Sequence, residues 1–347
     1  MKTTVLKVDW NHPEKDKISI ASSAITSGEL VVFPTETVYG IGANALDATA
    51  CQKIYVVKKR KSDNPLIVHV SSMQMADKIA IIPKKHRRHV ESSWPGPITF
   101  VVKARKVLPR TVTGGLDTVA VRMPRCRIAL DLINASGVPI AAPSANISKK
   151  PSSTKAKHAL KYFMGKVQII ISSKDSRYGI ESTVLDLETF EILRPGSFSA
   201  ERIKSIFGKA PQAYTPTLTS KSPPRSPGLK YRHYSPSTPL FAYAGDSTAA
   251  INKITSGMKN FCFIGSAESC RIVAAPHKIS LGSRRQKAAI ARNLYATLID
   301  LDDIGVDFCI IENFDMKGIG AAIANRIEKA TNHRSFSTRR ELNAFLH

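Results

Sequence analysis

The sequence predicts a two-domain α/β protein, and three observations predict it. Short β-branched runs alternate with helical stretches through the first two hundred residues, a proline-rich stretch without apolar period interrupts them, and a second, shorter alternation follows. At 347 residues the chain is also long for one domain. The boundaries expected are residues 1–210 for a first domain, 211–239 for a linker and 240–347 for a second domain.

In the first domain, Leu30–Phe33, Leu66–Val70, Ile98–Lys103, Thr118–Arg122, Val138–Ala142, Val167–Ser172 and Ser182–Asp186 read as short strands. Ala48–Val57, Ile128–Ser136 and Thr154–Phe163 carry helical periodicity. From Pro211 to Pro239 there are seven prolines with many Ser and Thr, the composition of an extended linker. Its middle, Ser226 to Pro236, packs tyrosines, a histidine and cations more densely than a spacer requires. Beyond it, strands at Leu240–Ala244, Asn260–Ile264 and Asp307–Glu312 alternate with helices near Thr248–Met258, Arg285–Leu301 and Ala321–Ala330, the order of a small Rossmann-like sheet. Gly318-Ile-Gly-Ala-Ala-Ile holds only part of a dinucleotide fingerprint and follows the last strand, so glycine at a helix end explains it better.

The apolar runs are short and bounded by charge, Gly or Pro, which excludes a membrane span and predicts a soluble chain. Met1–Lys17 has no apolar core of a secretory signal, so cytoplasm is the expectation. Five cysteines lie far apart, without Cys-x-x-Cys or zinc-finger spacing, and read as buried thiols. The net charge of +24 attracts phosphates and polyanions, either nucleic acid or ATP and pyrophosphate. The basic clusters are dispersed, however, without the basic stripe and aromatic interleaving of a dedicated nucleic-acid module.

Chemistry-bearing residues recur at strand ends. Val31-Val-Phe-Pro-Thr-Glu-Thr-Val-Tyr-Gly runs from a strand into hydroxyls and a carboxylate, where an α/β sheet usually holds a ligand. Lys58 and Arg60 sit at a helix end just before Ser62-Asp-Asn-Pro65, spaced for two oxygens of a polyphosphate or simply for the helix dipole. His69 ends one strand, as a core histidine or a polar strand end. Arg122 ends another and, if buried, needs an anionic partner. Ser144 and Asn146 follow an apolar strand, while Ser182 and Arg194 mark the margins of two more.

Pro-Thr-Glu-Thr-Val-Tyr-Gly, Lys-x-Arg, Asn-Pro-Leu-Ile-Val-His, Trp-Pro-Gly-Pro-Ile-Thr, Val-Arg-Met-Pro, Pro-Ser-Ala-Asn, Ser-Thr-Val and Arg-Pro-Gly, in that order, closely resemble the YrdC-like domain of L-threonylcarbamoyladenylate synthases. The linker motif and Gly-Ile-Gly-Ala-Ala-Ile-Ala-Asn-Arg-Ile resemble the long, two-domain members. The resemblance implies a YrdC-like twisted mixed-sheet domain followed by a Rossmann-like α/β domain. It implies a nucleotidyltransferase that joins L-threonine, bicarbonate or CO2, and ATP into threonylcarbamoyl-AMP and pyrophosphate. The product would pass to a tRNA threonylcarbamoyltransferase, with direct tRNA contact left open.

The resemblance also implies site residues. Thr35, His69, Arg122, the backbone near Ala142, and Ser182 would hold threonine. Lys58, Arg60, Asn64, Thr118, Ser144, Asn146, Ser152 and Arg194 would hold ATP, with His233 and Tyr234 of the linker closing over the nucleotide. Lys58, Arg60, Ser144 and Asn146 would carry the catalytic role, and Mg2+ would ride on the phosphates with no protein metal cage. An RNA-binding module without catalysis and a carbamoyl-transferring maturation enzyme are the alternatives.

Overall fold

The structure is a computed structural model that describes residues 2–213 and 234–346. The described chain separates into two compact units, residues 2–148 with 152–213 and residues 149–151 with 234–346.

The strands of the first unit are β1 (Thr4–Lys7), β2 (Val31–Phe33), β3 (Gly40–Asn44), β4 (Ile67–His69), β5 (Ala80–Ile81), β6 (Ile98–Ala104), β7 (Thr118–Arg122), β8 (Ile140–Ala141), β9 (Ile169–Ser172), β10 (Thr183–Asp186) and β11 (Ile192–Arg194). They form one mixed sheet in the order β1-β9-β2-β3-β8-β4-β7-β6-β10-β11, with β5 paired to β6. Both faces are covered, which is why its strands read as continuous apolar runs rather than alternating ones. Val31 and Phe33 join a cluster with Ile25, Ile128 and Leu132, from the helices Lys15–Thr26 and Arg127–Ser136, while Val32 between them joins the opposite cluster with Ile54 and Phe163. Ile170 and its neighbours Ile169 and Ile171 divide in the same way.

Three strands of the first unit escape the sequence reading, β1, β3 and the two-residue β5, the first two for plain physical reasons. β1 is a short edge strand whose residues are mostly exposed, so no continuous apolar run marks it. β3 lies within the glycines after Tyr39: a Cβ on Gly42 would stand 2.6 Å from Ile140 Cγ2 and 2.7 Å from Phe33 Cε1, so glycine there makes room for packing.

The second unit has β12 (Leu240–Tyr243), β13 (Phe261–Gly265), β14 (His277–Ser280), β15 (Phe308–Glu312) and β16 (Ser335–Phe336), all parallel, in the order β14-β13-β15-β12-β16. Phe241, Phe263, Ile310 and Phe336 form its core. Gly318 takes φ +59 just before the helix Gly320–Ala330, the conformation that favours glycine at a helix boundary. Residues 149–151 belong to this unit. Lys149 accepts from Ser235 N through its carbonyl, and Lys150 Nζ lies 3.3 Å from Asp302, which also accepts from the N–H groups of Ser237 and Thr238.

Four of the five cysteines are buried and none is bonded to another. Among the described residues no helix is long and apolar enough to cross a membrane.

Candidate active site

The segment from Pro34 to Tyr39, leaving β2, is the hub of the predicted residues. Thr35, Glu36 and Thr37 are all buried. A chain of polar groups in the interior needs partners, and here they come from four directions. Thr35 Oγ1 donates to Val38 O at 2.6 Å and lies 2.9 Å from Thr37 Oγ1, which accepts from Arg122 Nη1 at 2.8 Å. Ser176 Oγ donates to Thr35 O and Tyr178 N to Glu36 O. Tyr39 N donates to Ser153 O, and Tyr39 O accepts from Ala145 N. The loops carrying Ser144, Ser153 and Tyr178 are thereby fastened to one short stretch.

His69 and Arg122 close the parallel strands β4 and β7 in direct register. Arg122 is buried and meets the carboxylate of Glu36 at 2.6 Å. The need of a buried arginine for an anion was legible; that the anion already in the chain is Glu36 was not. The signal was present, since Glu36 is the one carboxylate of the Thr-Glu-Thr segment. Burial, and then the charge of Arg122, lower the His69 pKa to about 3, so its ring is neutral at ordinary pH. Its Nδ1 is buried without a hydrogen-bond partner among the described residues. Ala142 N donates to Ile67 O, which places the Ala142 backbone beside β4.

Lys58 ends the helix Ala48–Lys58 and is buried. Its Nζ donates to Ser144 O at 2.6 Å and to Asn146 O, so it braces the turn that follows β8. Burial and the neighbouring charge of Arg60 hold its pKa well below the usual lysine range. Ser144 Oγ donates to Asn146 Oδ1 at 2.6 Å, so the two side chains present one joined polar edge. Arg60 donates to the carbonyls of Asn64 and Pro65 and lines a hollow of about 450 Å3 with Tyr55, Lys61 and Asp63.

Thr118 opens β7 at the end away from Arg122, about 13 Å off at the usual strand rise. Asn64 precedes β4 and, because β4 and β7 are parallel, lies toward that same end. The structure therefore separates Asn64 and Thr118 from the pair His69 and Arg122.

Ser182 stands just before β10. Its Oγ lies 2.7 Å from Thr99 Oγ1 and accepts from Arg194 Nη2 at 3.2 Å, and Arg194 Nε donates to its carbonyl. Ser152 donates to Glu181 Oε1 at 2.6 Å. Gly196 is needed by close approach: a Cβ there would fall 2.3 Å from Thr183 N and 2.5 Å from Glu181 O. Tyr234 lies in the second unit, buried at φ +66, with its ring 5.0 Å from that of Tyr295. His233 lies outside the described residues.

Two family models match the chain. One, described as telomere recombination, covers residues 23–196, and one described as threonylcarbamoyl-AMP synthase, C-terminal domain, covers residues 198–332. The chain is 42% identical over 334 residues to threonylcarbamoyl-AMP synthase of Pyrococcus abyssi, a match spanning 92% of this chain and 96% of that protein. To threonylcarbamoyl-AMP synthase of Bacillus subtilis it is 39% identical, with 94% and 96% covered. Its fold matches the crystal structure of P. abyssi Sua5 complexed with L-threonine at a TM-score of 0.90 and 40% identity, over 97% of this chain and all of the other. With both family models in chain order and full-length relatives at this identity, the chain belongs to the threonylcarbamoyl-AMP synthase family.

Proposed function

We propose that this protein forms L-threonylcarbamoyl-AMP and pyrophosphate from L-threonine, bicarbonate or CO2, and ATP, acting as a nucleotidyltransferase. The observation that carries the reading is the full-length match to a relative crystallised with L-threonine, read together with a buried arginine at the end of β7, a neutral histidine in register with it on β4, and buried hydroxyls on the segment after β2, one of which the arginine holds.

On this reading Arg122 takes the carboxylate of threonine as a charge-assisted pair. Thr35, His69, the Ala142 backbone and Ser182 complete the amino-acid pocket, with His69 acting through hydrogen bonds because its ring is neutral. The threonine amine, once neutral, attacks CO2; the carbamate oxygen then attacks the α-phosphate of ATP and pyrophosphate leaves. No covalent enzyme intermediate is needed, so catalysis consists of positioning and of neutralising charge as it develops.

Ser144 and Asn146 offer hydroxyl and amide groups to the nucleotide from a turn that Lys58 holds in shape. Arg60, Asn64, Thr118, Ser152 and Arg194 supply further contacts to the nucleotide. Among the described residues no three His, Cys, Asp or Glu side chains gather so as to hold a metal ion. On this reading magnesium enters with the phosphates of ATP, and no step is assigned to it. The product passes to a transferase that acts on tRNA, in the cytoplasm.

The test is pyrophosphate release by purified protein from ATP. Release that requires both L-threonine and bicarbonate is expected. If none is detected, while RNA is bound with a steep salt dependence, the protein is a binding module instead.

A further inference from the structure

Glu36 has no role in the chemistry described so far, yet its placement is unusual. Its side chain and that of Arg122 are only 3% and 4% exposed, and they lie 2.6 Å apart. Among the described residues neither carboxylate oxygen of Glu36 accepts a directed hydrogen bond, and Arg122 Nη2 donates none. The pair is a contact of charges without the parallel fork that an arginine and a carboxylate adopt when they are built for each other. A buried carboxylate normally has several of its lone pairs satisfied, because taking it out of water is costly. Glu36 and Arg122 thus retain donor and acceptor capacity inside a buried site.

L-threonine is a zwitterion. Binding its carboxylate to Arg122 alone would leave a buried ammonium without a counter-charge, and would strip Glu36 of its cation, two desolvation costs in one step. Both vanish if the ligand exchanges partners with the protein. We infer that Glu36 takes the ammonium of L-threonine, so that binding replaces the single Arg122–Glu36 contact by two: Arg122 to the carboxylate and Glu36 to the ammonium. The inference rests on threonine being the substrate, as read above. It adds a specificity element: amino acids are selected over hydroxy acids and other carboxylates, because only they return a cation to Glu36. With no ligand bound, Glu36 serves as the stand-in anion that keeps the guanidinium of Arg122 aimed at Thr37 and at the site.

The experiment is calorimetric binding of two ligands to Glu36→Gln: L-threonine, and its analogue with a hydroxyl in place of the amine. ATP binding serves as the fold control. Expected is a loss of threonine affinity of roughly 10- to 100-fold, the range of a hydrogen bond to a charged group, with affinity for the hydroxy analogue unchanged or raised. Wild-type threonine affinity in the variant, or an equal loss of both ligands, overturns the assignment. If Glu36→Gln fails the ATP control, the same ratio is read from Glu36→Asp, expected to weaken threonine about threefold and the analogue not at all; equal loss there overturns it too. Threonine binding and pyrophosphate release by the wild-type protein test the functional reading separately, so the two failures are distinguishable.

Discussion

Lys58 Nζ donates to the backbone carbonyls of Ser144 and Asn146, residues 86 and 88 positions further along the chain. An amino group at the end of a helix thus fixes the shape of a distant turn. Replacing it by Met keeps the apolar stem and removes the donor. Lys58→Met is expected to weaken ATP about tenfold, since a buried carbonyl left without its donor costs about 1–3 kcal/mol, while threonine affinity stays within about twofold. Calorimetric titration with each ligand checks this. Equal loss of both would mean that the unit as a whole has been disturbed.

Arg60→Ala and Arg122→Ala should separate the two substrates. The first is expected to weaken ATP and spare threonine, the second to abolish measurable threonine binding. Arg122→Ala should also lower stability, by about 3–5 kcal/mol, because it strands the Glu36 carboxylate in the interior. Arg122→Met combined with Glu36→Gln should recover most of that loss in urea unfolding, without restoring threonine binding.

Gly196→Ala tests why the Arg-Pro-Gly motif ends in glycine. The atoms that a new methyl group would meet belong to the backbone of Glu181, Ser182 and Thr183, which cannot turn aside as a side chain can. Overpacking of about 1–3 kcal/mol is expected, together with reduced turnover because Ser182 is displaced. A melting temperature and turnover equal to wild type would show that the strand ends tolerate separation.

His69 sets a pH dependence with a definite sign. Its folded pKa lies near 3, below the ordinary histidine value. The unfolded chain therefore binds a proton between about pH 6.5 and 3 that the folded chain does not. Stability is present above that window and falls as pH drops through it, by at most about 2 kcal/mol between pH 6.5 and 5 from this one group. Urea midpoints measured across that range should fall less steeply in His69→Gln than in the wild type.

Much of the fold was legible because burial leaves a plain mark on composition. Val31–Phe33 and Ile169–Ser172 are covered on both faces, so they stand out as apolar runs. β1 and β3 were not legible, one because an edge strand need not be apolar, the other because its middle residue must be glycine to clear Phe33 and Ile140. The site shows the same division. That Arg122, His69 and Ser144 stand at strand ends follows from local sequence, and so do the hydroxyls around Thr35. Which groups answer one another does not: Glu36 facing Arg122, Lys58 reaching Ser144 and Gly196 lying against Thr183 are relations between distant parts of the chain, created only when the sheet is assembled.

Residues 149–151 carry a practical consequence for dissection. They sit in sequence between Asn146 and Ser152, yet their bonding partners Ser235, Ser237 and Asp302 all come after residue 213. A shortened gene ending near residue 210 would deprive this tripeptide of every one of those anchors, and a fragment starting near residue 234 would lack the tripeptide itself. Neither half is a clean excision, so activity lost on truncation should be read first as the loss of these bonds to residues 149–151, and complementation by the missing half supplied in trans is the appropriate control.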